Sequence, residues 1–181
     1  MKRVLKQLRK ITGWVGKLEL FVGGTLLAFL TVLIIIQVVQ RWTPIPAQVW
    51  VGELATYAFV WMSFAIFGFL VRIEGHVGLE LIDFVLPEKY VKILKAVVNI
   101  VIAVSSGFLA YFTWVLLGSL GAQKTPGTGI PLVVVYALPF VAFVLATIHG
   151  TLRAVSFIAD PDGLVADDTR EIQLSELKYE E

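Results

Sequence analysis

In this chain of 181 residues, 57% are hydrophobic and only 16% charged, with a mean hydropathy of +0.82, far to the apolar side of soluble domains. Cysteine is absent, which removes disulfides, thiolate nucleophiles and Cys-type zinc sites, and a net charge of +1 gives no reason to expect a nucleic-acid partner. The apolar residues come in runs too long for the single buried face of a soluble helix, so composition predicts an all-α integral membrane protein with the bilayer as its solvent.

In chain order, residues 1–17 place Lys2, Arg3, Lys6, Arg9, Lys10 and Lys17 around Val4, Leu5, Leu8, Ile11 and Val15 at helical spacing. That pattern predicts a basic interfacial helix with its lysines toward anionic lipid headgroups. A four-helix membrane domain is expected over 18–158, with the first span over 18–39. This run is longer than the apolar region of a cleaved signal peptide and ends in Gln40-Arg41-Trp42, so it reads as a retained helix. Pro44 and Pro46 precede a second span over 50–71. Residues 77–86 are too short to cross, carry Glu80 and Asp83 on one face, and read as a second interfacial amphipathic helix. Pro87 and Glu88 suit the first turn of the next helix, whose span covers 93–117. The cluster Pro126-Gly127-Thr128-Gly129 then forces a turn before the last span over 132–158. The segment 159–181 holds eight acidic and two basic residues from Asp160 onward and reads as a solvated tail.

Lysine plus arginine numbers six before span one, then one, four and one in the successive connections, and three from Arg153 onward. This alternation follows the positive-inside rule for four spans with both termini cytoplasmic. An intramembrane charge costs about 2.5 to 3.5 kcal/mol at a helix centre on insertion scales. Glu53, about one turn inside span two, is the charge that needs a reason: it either snorkels to the interface or meets a partner such as Arg41, Lys124 or another protein. Arg72 and His76, at the other end of that span, hold its orientation. His76 with His149 also admits a bis-histidine haem reading, which would make the chain a membrane redox subunit. Asn99 is expected to hydrogen-bond between helices. Small residues four apart, Gly24 with Ala28, Ala103 with Gly107, and Ser106 with Ala110, mark faces for close approach to other helices or a partner. Trp50, Trp114 and the prolines near span ends read as interfacial anchors and kinks. The sequence has no phosphate-binding glycine loop, no His-Glu-x-x-His and no paired carboxylates deep in a span, so it predicts no enzyme, no metal site, no cofactor and no substrate-binding residue of its own.

The string Trp50-Val51-Gly52-Glu53-Leu54-Ala55-Thr56-Tyr57-Ala58-Phe59-Val60-Trp61 is followed by Arg72, Gly75 and His76, by Leu86-Pro87, and by Thr125-Pro126-Gly127-Thr128-Gly129-Ile130-Pro131 with Tyr136 and Pro139. In order and spacing it resembles the small, DctQ-like membrane subunit of tripartite ATP-independent periplasmic (TRAP) transporters, over roughly residues 15 to 158. The resemblance implies a noncatalytic scaffold in a prokaryotic inner-membrane complex that takes up organic acids, carboxylates or sulfonates, on a sodium gradient. The implied partners are a large multi-span transport subunit, a periplasmic substrate-binding protein and membrane lipids. Carried over by residue, Trp50, Glu53, Tyr57, Arg72 and His76 take structural or subunit-contact roles, with Asn99, Gly107, Pro126, Pro131 and Tyr136 as further candidates. The loop of Pro126 and Pro131 either caps the bundle or meets the binding protein.

Overall fold

A computed structural model of the chain describes residues 2–44, 46, 48–72 and 88–159. The described residues contain four α-helices: α1 (Lys2–Trp42), α2 (Val49–Arg72), α3 (Glu88–Ser119) and α4 (Leu132–Ala159). Each holds a stretch long and apolar enough to cross a membrane, which bears out the expected all-α, four-span architecture. The basic segment and the first span are joined in one unbroken helix of 41 residues, about 60 Å long at 1.5 Å per residue. The interfacial helix expected over 77–86 and nearly all of the acidic tail lie outside the described residues.

The helix ends follow from local chemistry. Trp42 is the last residue of α1 because Thr43 precedes Pro44, and a residue before proline is pushed out of the helical region; the Thr43 hydroxyl donates to Val39 O (3.0 Å) and satisfies a terminal carbonyl. After α3, Gly121 sits in the left-handed region (φ 55°), the conformation that terminates a helix at least cost in glycine. Pro131, one residue before α4, supplies a carbonyl to Val134 N (2.9 Å) in the first turn.

The helices do not pack in sequence order. Adjacent pairs are α1 with α2, α2 with α4, and α4 with α3, so α2 and α4 form the centre while α1 and α3 flank them. In lipid the apolar effect does not drive helices together, and close packing of small residues does. The seams show this at a spacing of three and four, the period of left-handed helix packing. On α1 the inward residues are Gly16, Glu19, Gly23, Leu26, Leu30 and Leu33; on α3 they are Ala96, Asn99, Ala103, Ser106 and Ala110; on α4 they are Val135, Pro139, Ala142, Ala146, His149 and Arg153. Three glycines sit at the tightest approaches. A Cβ on Gly23 would stand 2.5 Å from Ile66, one on Gly68 would overlap the Glu19 carboxylate, and one on Gly150 would stand 3.2 Å from both Ala103 Cβ and Asn99 O. Of the small residues singled out in the sequence, Ala103 and Ser106 are buried, Gly107 and Ala110 half-buried, and Gly24 and Ala28 exposed.

Aromatic rings lock the central pair. Phe143 of α4 meets Phe64 and Phe67 of α2 edge-on, with centroids 5.2 and 6.2 Å apart, a favoured geometry for aromatic pairs. Trp114 and Phe140 join α3 to α4 at 5.6 Å.

Candidate functional site

One end of the bundle carries the connection between α3 and α4, and α2 begins there. The connection folds back on itself: Thr125 N donates to Ile130 O (2.9 Å), Leu132 N to Gln123 O (3.0 Å) and Gly129 N to Thr125 O (3.1 Å), with Gly129 in the left-handed region (φ 69°). This turn presents successive backbone N–H groups of Gly127 and Thr128 to α2, an arrangement suited to an anion.

The anion is Glu53. Its carboxylate accepts from Gly127 N (2.6 Å), Thr128 N (3.2 Å) and the Thr128 hydroxyl (2.6 Å). Because Thr128 spends its single hydroxyl proton on Glu53, Thr125 must be the donor in the 2.7 Å contact between the two threonine oxygens. Thr125 in turn accepts from Ile130 N (3.0 Å), so a chain of hydrogen bonds runs from the loop backbone through two hydroxyls into the carboxylate. Gly127 has to be glycine, since a Cβ there would stand 2.6 Å from Glu53 Oε2 and 3.4 Å from Trp50 Cα. The arrangement is a clasp, in which a carboxylate on α2 fixes the shape of the α3–α4 loop.

The same stripe of α2 continues down the bundle. Tyr57, one turn from Glu53, lies within electrostatic reach of Glu53 and Tyr136 and packs on Trp61 (6.3 Å). Trp61 Nε1 donates to Val135 O of α4 (2.9 Å). Val135 is four residues before Pro139, and its carbonyl would ordinarily accept from the N–H that proline lacks. Trp61 supplies the missing donor, as buried or membrane-embedded backbone requires.

The structure thus brings together Trp50, Glu53, Tyr57 and the loop between Pro126 and Pro131, with Tyr136 beside them. It does not join the other candidates to them. Asn99, 1% exposed, sits where α4 crosses α3 and donates Nδ2 to Lys95 O one turn back on its own helix (2.9 Å). A Cβ added at Gly107 would stand 3.8 Å from Thr147 Cγ2, an ordinary van der Waals contact. Arg72 is the last residue of α2, and His76 lies outside the described residues. The haem reading gains no support. His149 is 2% exposed, its Nδ1 lies 3.0 Å from Gly68 O, and its neighbour Gly150 is pressed against α3, so the ring sits inside a packed crossing.

Sequence reasoning passed over Glu19, which is buried against Gly68. It also missed Gly23, Gly68 and Gly150, and the pairing of Thr125 with Thr128. The signal for Glu19 and Gly23 was the spacing Gly16, Glu19, Gly23, Leu26, Leu30, Leu33.

Four membrane-length helices with clasped ends, and polar side chains spent on holding helices and loop, define a small multi-pass membrane protein. The chain belongs to the family described as tripartite ATP-independent periplasmic transporters, DctQ component, which it matches over residues 30–160. That range contains the whole clasp. No curated protein and no solved structure matches the chain.

Proposed function

We propose that this chain is the noncatalytic scaffold subunit of a sodium-driven transporter for organic acids, carboxylates or sulfonates, packed against a large transport subunit that receives substrate from a periplasmic binding protein. Family membership is the observation that carries this reading, and the disposition of side chains supports it. The Glu53 carboxylate is engaged by the chain's own loop, which leaves it built for holding rather than for binding a solute. The flanking helices turn broad apolar faces outward, Phe21, Leu27, Ile34 and Ile35 on α1 and Phe108, Tyr111, Phe112 and Trp114 on α3; these faces meet lipid and the large subunit. In the proposed orientation both termini are cytoplasmic in an inner membrane, a reading that the lysine and arginine distribution supports, and the Glu53 clasp caps the periplasmic end.

The test is sodium-dependent uptake into proteoliposomes holding the large subunit and binding protein, with this chain present, absent or substituted at Glu53. A scaffold predicts loss of uptake without the chain. It also predicts that Glu53→Gln lowers uptake only in proportion to the amount of assembled complex, with the substrate KM unchanged. A KM shift at full assembly contradicts a purely supporting role.

A further inference from the structure

The opening turns of α1 lie at the end opposite the clasp and outside residues 30–160, which match the family. Glu19 packs against Gly68, one turn before α2 ends at Arg72, so these turns run on past α2 as part of one unbroken helix. Helical position decides what they show outward. Gly16, Glu19 and Gly23 are buried on the side toward α2. Lys10 and Lys17, two turns apart, fall on the opposite side at about 100° per residue, and both are exposed. In sequence, Arg3 and Lys6 keep the same register. Beside the lysines stand Ile11, Trp14 and Leu18, which are 60, 73 and 62% exposed. Glu19 is the one acid among residues 1–20, and it is turned inward at 7% exposure.

The outward face here is therefore of one sign, with apolar side chains alongside it. Its complement is a surface that offers anions and hydrocarbon together. We infer that this stripe of α1 binds anionic phospholipid headgroups, whose phosphate oxygens accept from Lys10 and Lys17 while Ile11, Trp14 and Leu18 enter the boundary between headgroups and acyl chains. The dimensions agree. Lys17 stands where the apolar run of the first span begins, and Lys10 lies about 10 Å further along the axis at 1.5 Å per residue. The headgroup layer is roughly 5 to 8 Å deep on each side of the bilayer, which the long lysine side chains span by snorkelling. Tryptophan favours this layer. An acidic protein segment would answer the lysines but not the apolar residues beside them. The contact is made by a continuation of the first span, so lipid charge holds α1 at a fixed depth.

The test uses the full chain in nonionic detergent, mixed with equal amounts of phosphatidylglycerol and phosphatidylcholine, and counts the retained lipids by native mass spectrometry. The parent should retain phosphatidylglycerol in preference. Lys10→Gln/Lys17→Gln should lower the ratio of phosphatidylglycerol to phosphatidylcholine by about fivefold or more. Arg41→Gln/Lys124→Gln removes two exposed cations at the clasp end and should keep the ratio within about twofold of the parent. If the first double variant does not fold, the parent decides: raising the salt from about 0.05 to about 0.5 M should remove the preference, and a salt-insensitive ratio overturns the inference. No preference in the parent, or a ratio that falls as far in Arg41→Gln/Lys124→Gln, also overturns it. So does a preference that appears only when residues 160–181 are deleted, which assigns the stripe to the chain's own acidic tail.

Discussion

At the scale of single residues, most polar side chains in this bundle answer a backbone group that lipid cannot satisfy. Thr25, Thr31, Ser63 and Thr113 return their hydroxyls to the carbonyl four residues back, a local solution that keeps a lipid-facing hydroxyl from being stranded. Trp61 answers a carbonyl on another helix, and only because Pro139 vacated it. Trp61→Phe should therefore cost about 1 to 2 kcal/mol of stability. In a Pro139→Ala background the helix regains its own donor, and the same change should cost much less. Equal costs in both backgrounds, measured by a double-mutant cycle on thermal midpoints, contradict the assignment. At the clasp, Glu53→Gln places amide hydrogens against backbone donors and should speed proteolytic cleavage between Lys124 and Pro131; unchanged cleavage would show that the loop holds its shape without the carboxylate. Glu53 was legible as a residue in need of a partner, but that partner was not. Two of its three donors are backbone groups of a turn 74 and 75 residues away, and the third is a hydroxyl that only the folded turn brings into reach.

At the scale of helices, each stretch that hydropathy marks as a crossing falls inside one of the four helices. The span expected over 93–117 lies inside α3, Glu88–Ser119, and that over 18–39 inside α1, Lys2–Trp42, because backbone hydrogen bonding continues past the point where side chains turn polar. The packing faces were harder to read. Small residues occur on several sides of α1, and the pair Gly24 and Ala28 points outward while Gly23 meets Ile66. Periodicity separates them only over the full run from Gly16 to Leu33. Gly23→Leu should then lower stability by about 1 to 3 kcal/mol through overpacking, whereas Gly24→Leu should leave the isolated chain within about 0.5 kcal/mol of the parent. Thermal midpoints of the two variants decide, and equal sensitivity would move the α1–α2 seam. Because Glu19 packs at the level of Gly68, near the end of α2, the basic N-terminal turns of α1 run on beyond Arg72 of α2.

At the scale of the whole molecule, two central helices are flanked by two that keep broad apolar faces outward, with a polar fastening toward each end. Glu53 joins α2 to the α3–α4 loop at one end, and the cluster around Gly68 joins α1, α2 and α4 at the other. Such a body resists shear between its helices, which suits a subunit that stays still while a neighbour moves. Reporter fusions at either terminus should both register the cytoplasm; a periplasmic signal from one of them would break the four-span orientation. The most direct test of the scaffold reading is quantitative mass spectrometry of the tagged chain purified gently from native membranes. The account predicts a many-span membrane protein present at about one copy per copy of this chain. Recovery of the chain alone, from membranes in which that large subunit is expressed, would contradict it.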